Sequence, residues 1–140
     1  MLEPIESGGL CDRDRFVEEV EERILDPLHR EQPGALLLLD VDGFHLVNDS
    51  LGHEAGDRLL DTVGETLRDA AREDDLPARI CADEFGLLLR RATAEQAMAA
   101  AERLITLVRE RGKPAVGASV GIASFGGTGE LLIRLAMMAP

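Results

Sequence analysis

The stretch LLLLDVDGFHLVNDSLGHEAGD, residues 36–57, decides the fold of this 140-residue chain. It opens with four consecutive leucines and stops being apolar at Asp40. Because the leucines are continuous rather than alternating, they predict a strand with both faces covered, as in the middle of a sheet packed under helices. Such a strand would bring the carboxylates of Asp40 and Asp42 to its C-terminal end, where α/β sheets tend to bind ligands.

The spacing of these two carboxylates suits a magnesium ion. Asp40 and Asp42 are two residues apart and would share one face of the strand, and the carbonyl of Val41 could turn toward the same point. Hard oxygen ligands of this kind suit Mg²⁺. The alternative is that Asp42-Gly43 forms a turn and that Asp40 is simply a polar residue at a strand end.

Three further polar residues follow the strand closely in sequence. Asn48, His53 and Asp57 are expected on a short helix, on the loop after it and at the start of the next helix. An amide and a carboxylate together can hydrogen-bond the edge of a guanine base. We therefore expect a site for a guanine nucleotide beside the strand end.

The motif D-V-D-G-F-H-x-x-N-D-x-x-G-H-x-x-G-D-x-x-L, residues 40–60, resembles the GGDEF domain of diguanylate cyclases, which condense two GTP molecules into cyclic di-GMP. GGLCDRDRF, residues 8–16, is similar to the family's opening motif T-G-L-x-N-R-R-x-F. We expect one GGDEF-like domain over residues 1–140, with a lead-in over 1–10 and a family-like core over 10–135. The resemblance implies a nucleotidyl cyclase-like fold.

The family's G-G-D/E-E-F hairpin has its counterpart in Cys81-Ala82-Asp83-Glu84-Phe85. By resemblance, Asp83 would hold Mg²⁺ together with two partners at the strand end, Asp40 and the Val41 carbonyl. The same resemblance assigns guanine binding to Asn48 and Asp57, with His53 and Glu84 completing the site. Cys81 and Ala82 would also contact the bound GTP, and Asp83 and Glu84 would be the catalytic acids.

Two departures from the family pattern predict little or no cyclase activity. Cys81 and Ala82 replace glycines that allow the backbone to approach the nucleotide closely, so that the acids Asp83 and Glu84 would be vestigial. The family also carries a lysine that contacts the nucleotide phosphates, whereas residues 131–135 resemble the start of its helix and no lysine follows.

A second site is implied by Arg72-Glu73-Asp74-Asp75, which matches the R-x-x-D motif that the family places five residues before its hairpin signature. By resemblance this is an inhibitory site that binds cyclic di-GMP through Arg72 and Asp75, and Arg103 falls where a second arginine of that site often occurs. The alternative is that Arg72 ends a helix favourably and that residues 73–75 form a solvated acidic loop.

The rest of the chain predicts helices and strands in the order β-α-α-β-β-α-β. This is a split βαβ pattern, so we expect an α+β fold with a ferredoxin-like antiparallel sheet and helices on its faces. The predicted elements, in chain order, are a helix capped by Asp12, a strand over 36–40, a short helix around Asn48, a helix over 54–72, strands over 76–80 and 85–89, a helix over 93–109, a strand over 116–125 and a helix over 128–138.

Composition narrows the class of protein. The net charge of −12 argues against nucleic-acid binding, and no apolar run is long enough for a membrane span or resembles a signal peptide. The two cysteines indicate a reducing, cytoplasmic setting and have no zinc-site spacing.

The leading hypothesis is a degenerate GGDEF domain that binds cyclic di-GMP and is fused to sensor or output domains. The alternatives are an active cyclase, which would need a homodimer and GTP, and a protein-interaction module that binds no nucleotide.

Overall fold

The computed structural model describes residues 9–29 and 31–126, together with the backbone of residues 132–136. Five antiparallel strands form one sheet in the order β2-β3-β1-β4-β5. The elements are α1 Arg13–Leu25, a 3₁₀ helix Pro27–His29, β1 Gly34–Val41, α2 Phe44–Leu51, α3 His53–Ala70, β2 Leu76–Cys81, β3 Glu84–Leu89, α4 Ala94–Arg111, β4 Ala118–Phe125 and β5 Leu132–Ala136. The predicted antiparallel α+β architecture is confirmed.

Strand β1 lies in the centre of the sheet, as its apolar run predicts. Leu37 and Leu39 are buried in the core that α3 and α4 cover. The expectation that both faces are covered is wrong at Leu38, which is 41% exposed. The reason is that α1 packs mainly on β2 and β3, where Phe16 joins Leu88 in a second cluster, so that helices cover only part of this face.

Two helix starts follow from their capping residues. The Asp12 carboxylate accepts a hydrogen bond from the Arg15 backbone N–H at 2.9 Å, which satisfies a free donor at the start of α1. At the start of α4, Thr93 and Gln96 form the predicted capping box, with bonds of 3.1 and 2.9 Å. Both predicted caps are confirmed.

The predicted hairpin is confirmed, and each of its strands is one residue longer than expected. Cys81 pairs with Glu84 across a two-residue loop of Ala82 and Asp83. The register shifts between Arg79 and Cys81, so a bulge precedes the tip. The Arg79 guanidinium donates two hydrogen bonds to the Ala82 carbonyl, at 2.8 and 3.2 Å, and thereby holds the loop against its own strand.

A buried arginine fastens the segments around α1. Arg23 is 7% exposed and lies over the Phe125 ring, 5.1 Å from its centroid. Its guanidinium donates to the backbone carbonyls of Arg90 at 2.9 Å, Gln32 at 2.8 Å and His29 at 3.3 Å. One side chain thus joins α1, the segment before β1 and the end of β3.

The two ends of the described chain differ from expectation. Leu10, placed at the end of an irregular lead-in, is fully buried, and Cys11 forms a bridge with Ala78 at the edge of the sheet. Residues 132–136 were predicted within a final helix, but they form β5, paired with β4. Because an edge strand leaves a row of backbone groups unpaired, this pairing satisfies β4 where a helix could not. The rest of that predicted helix lies outside the described residues.

No helix in the part of the chain that the structure describes has the length and apolar character needed to cross a membrane. Both cysteines are free: Cys11 is buried and Cys81 is exposed.

Candidate functional site

An acidic cluster lies at the C-terminal end of β1. Asp40 stands in register with Glu84 of β3 on one side and with Ser119 of β4 on the other. Partial burial and the nearby charges of Asp83 and Asp42 raise the pKa of Asp40 above its ordinary value. The structure therefore brings the strand end and the hairpin tip together, as the sequence predicts.

Asp42 is held by β4. Its Oδ1 accepts a hydrogen bond from the Ser119 hydroxyl at 2.8 Å, and its backbone N–H donates to the Gly117 carbonyl at 3.0 Å. Ser119 is not predicted as a site residue from the sequence, although its place in an alternating strand indicates that it could face the end of β1. Asp42 is thus anchored, while Asp40 is left beside the hairpin.

The chemistry of this cluster fits a magnesium ion. The predicted ligands are the carboxylates of Asp40 and Asp83 and the Val41 carbonyl, all of them hard oxygens. The charges that raise the pKa of Asp40 repel one another, and a divalent cation would relieve that repulsion. In the described residues, no group of three or more His, Cys, Asp or Glu side chains is placed to hold a metal, and the predicted set has only two carboxylates.

The predicted guanine site contains an amide that lacks a hydrogen-bond partner. Asn48 lies on α2, and its buried Oδ1 has no partner among the described residues. A Cβ atom at Gly56 would lie 1.8 Å from this oxygen, so only glycine leaves room for it. Asp57, the next residue along α3, is exposed, as is His53 at the first position of that helix. A buried amide without a partner is the kind of group that a ligand satisfies.

The hairpin tip presents a thiol where the family has a glycine. Cys81 is exposed, and its Sγ lies 4.0 Å from Oε1 of Glu84. Ala82 is also exposed, at the first position of the loop. Both replacements therefore place side-chain atoms on the outside of the tip, beside the acids Asp83 and Glu84.

The three residues of the predicted inhibitory site line one pocket of about 190 Å³. Arg72 and Asp75 close their loop on each other: the Arg72 N–H donates to the Asp75 carboxylate at 2.8 Å, and the Asp75 N–H donates to the Arg72 carbonyl at 3.0 Å. Arg103 reaches the pocket from α4. The other lining residues are apolar except for two: Arg91 and Gln96.

Asp75 is a half-buried carboxylate in this pocket. Burial raises its pKa and the charge of Asp74 adds to that effect, while the backbone N–H and the guanidinium of Arg72 oppose it. Such a carboxylate can accept the N–H donors of a guanine edge, and guanidinium groups can bind phosphate oxygens in pairs. Apart from the polar residues named above, the lining is apolar, and its leucines, Leu87, Leu89 and Leu104, are core side chains of which at most 5% is exposed.

Comparisons with known proteins identify the family of this chain. A sequence model of the family described as "Diguanylate cyclase, GGDEF domain" matches residues 7–139. The bifunctional diguanylate cyclase/cyclic di-GMP phosphodiesterase MucR of Pseudomonas aeruginosa is 35% identical over 122 residues, which are 84% of this chain and 17% of MucR. The diguanylate cyclase DgcM of Escherichia coli is 36% identical over 118 residues, 82% of this chain and 29% of DgcM.

Among solved structures, the GGDEF domain of YfiN from Pseudomonas aeruginosa superposes with a TM-score of 0.77 at 29% identity. The match covers 84% of this chain and 77% of that domain. By contrast, the chain spans less than a third of the length of the two full-length relatives.

Proposed function

The chain belongs to the GGDEF domain family, and we propose that it acts in cyclic di-GMP signalling as a receptor that binds cyclic di-GMP in the pocket of Arg72, Asp75 and Arg103. In this function the domain makes little or no cyclic di-GMP itself. We also propose that the polypeptide carries sensor or output domains and that it is located in the cytoplasm.

One observation carries the receptor proposal: Arg72 and the half-buried Asp75 of one loop line a single pocket together with Arg103 of α4. Cyclic di-GMP has two guanine bases and two phosphodiester groups. Arg72 and Arg103 suit the phosphates, and Asp75 suits the guanine N–H groups.

The substitutions at the hairpin tip support low cyclase activity. Mg²⁺, held by Asp40, Asp83 and the Val41 carbonyl, would supply activation of the ribose 3′-hydroxyl and stabilisation of charge on the α-phosphoryl group. The tip would have to approach the nucleotide closely, and the Cys81 and Ala82 side chains occupy that approach. Loss of one transition-state contact typically costs about 2.7–4 kcal/mol, so displacement of the nucleotide would reduce turnover strongly.

A second candidate function is an active diguanylate cyclase. Retention of Asp40, Asp83, Asn48 and Asp57 favours it, as does the likeness to DgcM. Because the reaction joins two GTP molecules, each held by one domain, it would require a homodimer. Formation of cyclic di-GMP from GTP and Mg²⁺ at high protein concentration would support this candidate.

The deciding experiment is a calorimetric titration of cyclic di-GMP into the wild-type chain and an Arg72→Ala variant, with Arg109→Ala as the matched control. Arg109 is an exposed arginine of α4 that does not line the pocket. We expect binding to the wild type and to the control, and loss of binding in Arg72→Ala. Absence of binding to the wild type would reject the receptor function and leave a GTP turnover assay to decide between a cyclase and an interaction module.

A further inference from the structure

Arg91 lies between two cavities. It lines the pocket of Arg72, Asp75 and Arg103, and it also lines a cavity of about 370 Å³ between α1 and the end of β3. Its guanidinium forms an ion pair with Asp74, in which Nε lies 2.9 Å from Oδ2 and Nη2 donates to the same oxygen. This pair is largely solvent-exposed, since 66% of the Arg91 side chain and 47% of the Asp74 side chain are accessible.

The neighbouring arginine holds the same loop by a different contact. Arg90 Nη1 donates to the backbone carbonyl of Asp74 at 2.8 Å, and Arg90 Nη2 pairs with the Glu19 carboxylate of α1 at 2.7 Å. These side chains are less exposed than those of Arg91 and Asp74. The loop that carries Arg72 and Asp75 is therefore held by its backbone, independently of the Asp74 carboxylate. The Asp74–Arg91 pair can open while the loop stays in place.

We propose that Arg91 is a third phosphate-binding arginine of the pocket and that the Asp74 carboxylate occupies it until a phosphodiester displaces that carboxylate. The ligand class is a nucleotide with phosphodiester groups, and the inference rests on the cyclic di-GMP binding proposed above. Asp74 is a side chain that competes with the ligand for one cation. It thereby sets the affinity of the pocket.

The relative strengths of the two pairings favour this exchange. An exposed carboxylate–guanidinium pair contributes little because water and salt screen it. A phosphodiester in the pocket would bring its charge to Arg91 in a pocket that Arg72 and Arg103 also line. Asp74 itself lines the other cavity, so its carboxylate reaches the pocket only through its pair with Arg91.

The test is a double-mutant cycle on Asp74 and Arg91, followed by calorimetric titration with cyclic di-GMP. Arg91→Ala should weaken binding by about 10- to 100-fold, the scale of one lost hydrogen-bonded charge contact. Asp74→Asn should strengthen binding by about two- to fivefold, the scale of an exposed ion pair. In the Arg91→Ala background, Asp74→Asn should have no further effect on binding. The Arg91 guanidinium for which Asp74 competes with the ligand is then absent.

Glu73→Gln is the matched control, since it removes the same charge one residue away, whereas the ion pair with Arg91 is made by Asp74. If Arg91→Ala fails to fold, Arg91→Gln removes the same charge but keeps a longer side chain than alanine. Binding that is lost in Arg72→Ala but unchanged in both Arg91 variants would overturn this inference alone. An equal gain in Asp74→Asn and Glu73→Gln would also overturn it, as general electrostatics. A wild-type chain that binds no cyclic di-GMP would overturn the proposed function as well.

Discussion

Gly56 and Asn48 are fitted to each other: a Cβ atom at position 56 would lie 1.8 Å from the Asn48 amide oxygen. The absent side chain on α3 thus makes room for the Asn48 amide oxygen of α2, which is buried and has no hydrogen-bond partner in the described structure. The two helices leave one polar group for a ligand to satisfy.

Gly56→Ala is therefore expected to destabilise the fold by about 1–3 kcal/mol, the usual cost of overpacking, and to displace the Asn48 amide. Urea unfolding measures the first effect. The second appears as loss of any thermal stabilisation by GTP with Mg²⁺. Gly52→Ala is a useful contrast, because a Cβ at that position meets nothing within 4 Å and only the positive φ of 92° is strained. Equal nucleotide responses in both variants would contradict a specific role for Gly56.

Restoring both glycines at the hairpin tip should restore cyclase activity if the tip is what blocks the nucleotide. The Cys81→Gly/Ala82→Gly variant is expected to form cyclic di-GMP from GTP and Mg²⁺ about 100- to 1000-fold faster than the wild type, on the scale of one recovered transition-state contact. Adding Asp83→Asn to that variant is the control and should remove the gain. No gain from the two glycines would locate the defect elsewhere in the chain.

Arg23 should be one of the most sensitive positions for stability. Arg23→Ala removes the donor to three backbone carbonyls and leaves them without their partner, which should cost about 3 kcal/mol or more in the free energy of unfolding. Arg13→Ala, on the same helix but with 62% of its side chain exposed, should change the free energy of unfolding by less than about 0.5 kcal/mol. Chemical denaturation of the two variants, monitored by circular dichroism, provides the measurement. Similar midpoints would show that Arg23 does not hold these segments.

Asp75 should make the stability of the domain depend on pH in a definite direction. Burial raises the pKa of Asp75 in the folded chain, so the native state binds this proton more tightly than the unfolded state does. The wild type is therefore expected to lose stability relative to Asp75→Asn as the pH rises from 3.8, the ordinary pKa of aspartate, through the raised pKa of Asp75 in the folded chain. Unfolding free energies of both chains across this range test the sign. Asparagine keeps an acceptor for the Arg72 N–H, so the comparison isolates the charge. A relative gain with rising pH would contradict it.

The sequence predicts the parts of this fold that depend on local chemistry. Asp12 and Thr93 cap helices because their side chains reach backbone donors three residues away. The apolar run before Asp40 predicts the central strand, since a continuous run needs an interior position. The motif spacing also brings Arg72, Asp75 and Arg103 to one pocket, although α4 and the loop before β2 are far apart in sequence.

Other features depend on long-range packing and could not be predicted in this way. The exposure of Leu38 is set by where α1 lies on the sheet, which the leucine run does not encode. The pairing of residues 132–136 with β4 depends on the unpaired edge of a distant strand, whereas their own sequence suits a helix equally well. Arg91 could not be predicted as a pocket residue, because it reaches the pocket only when the end of β3 packs beside the loop of Asp74.

Strand β3 gives the two sites a common structural element. Glu84, at the first position of the strand, pairs with Asp40 in the acidic cluster. Leu89, at its last position, lines the pocket of Arg72, Asp75 and Arg103. The residues between them are buried, and the strand spans about 17 Å. A ligand in the pocket and a cation at the hairpin would thus act on opposite ends of one rigid segment. If either favours a particular position of that segment, reciprocity requires each to change the affinity of the other by the same factor.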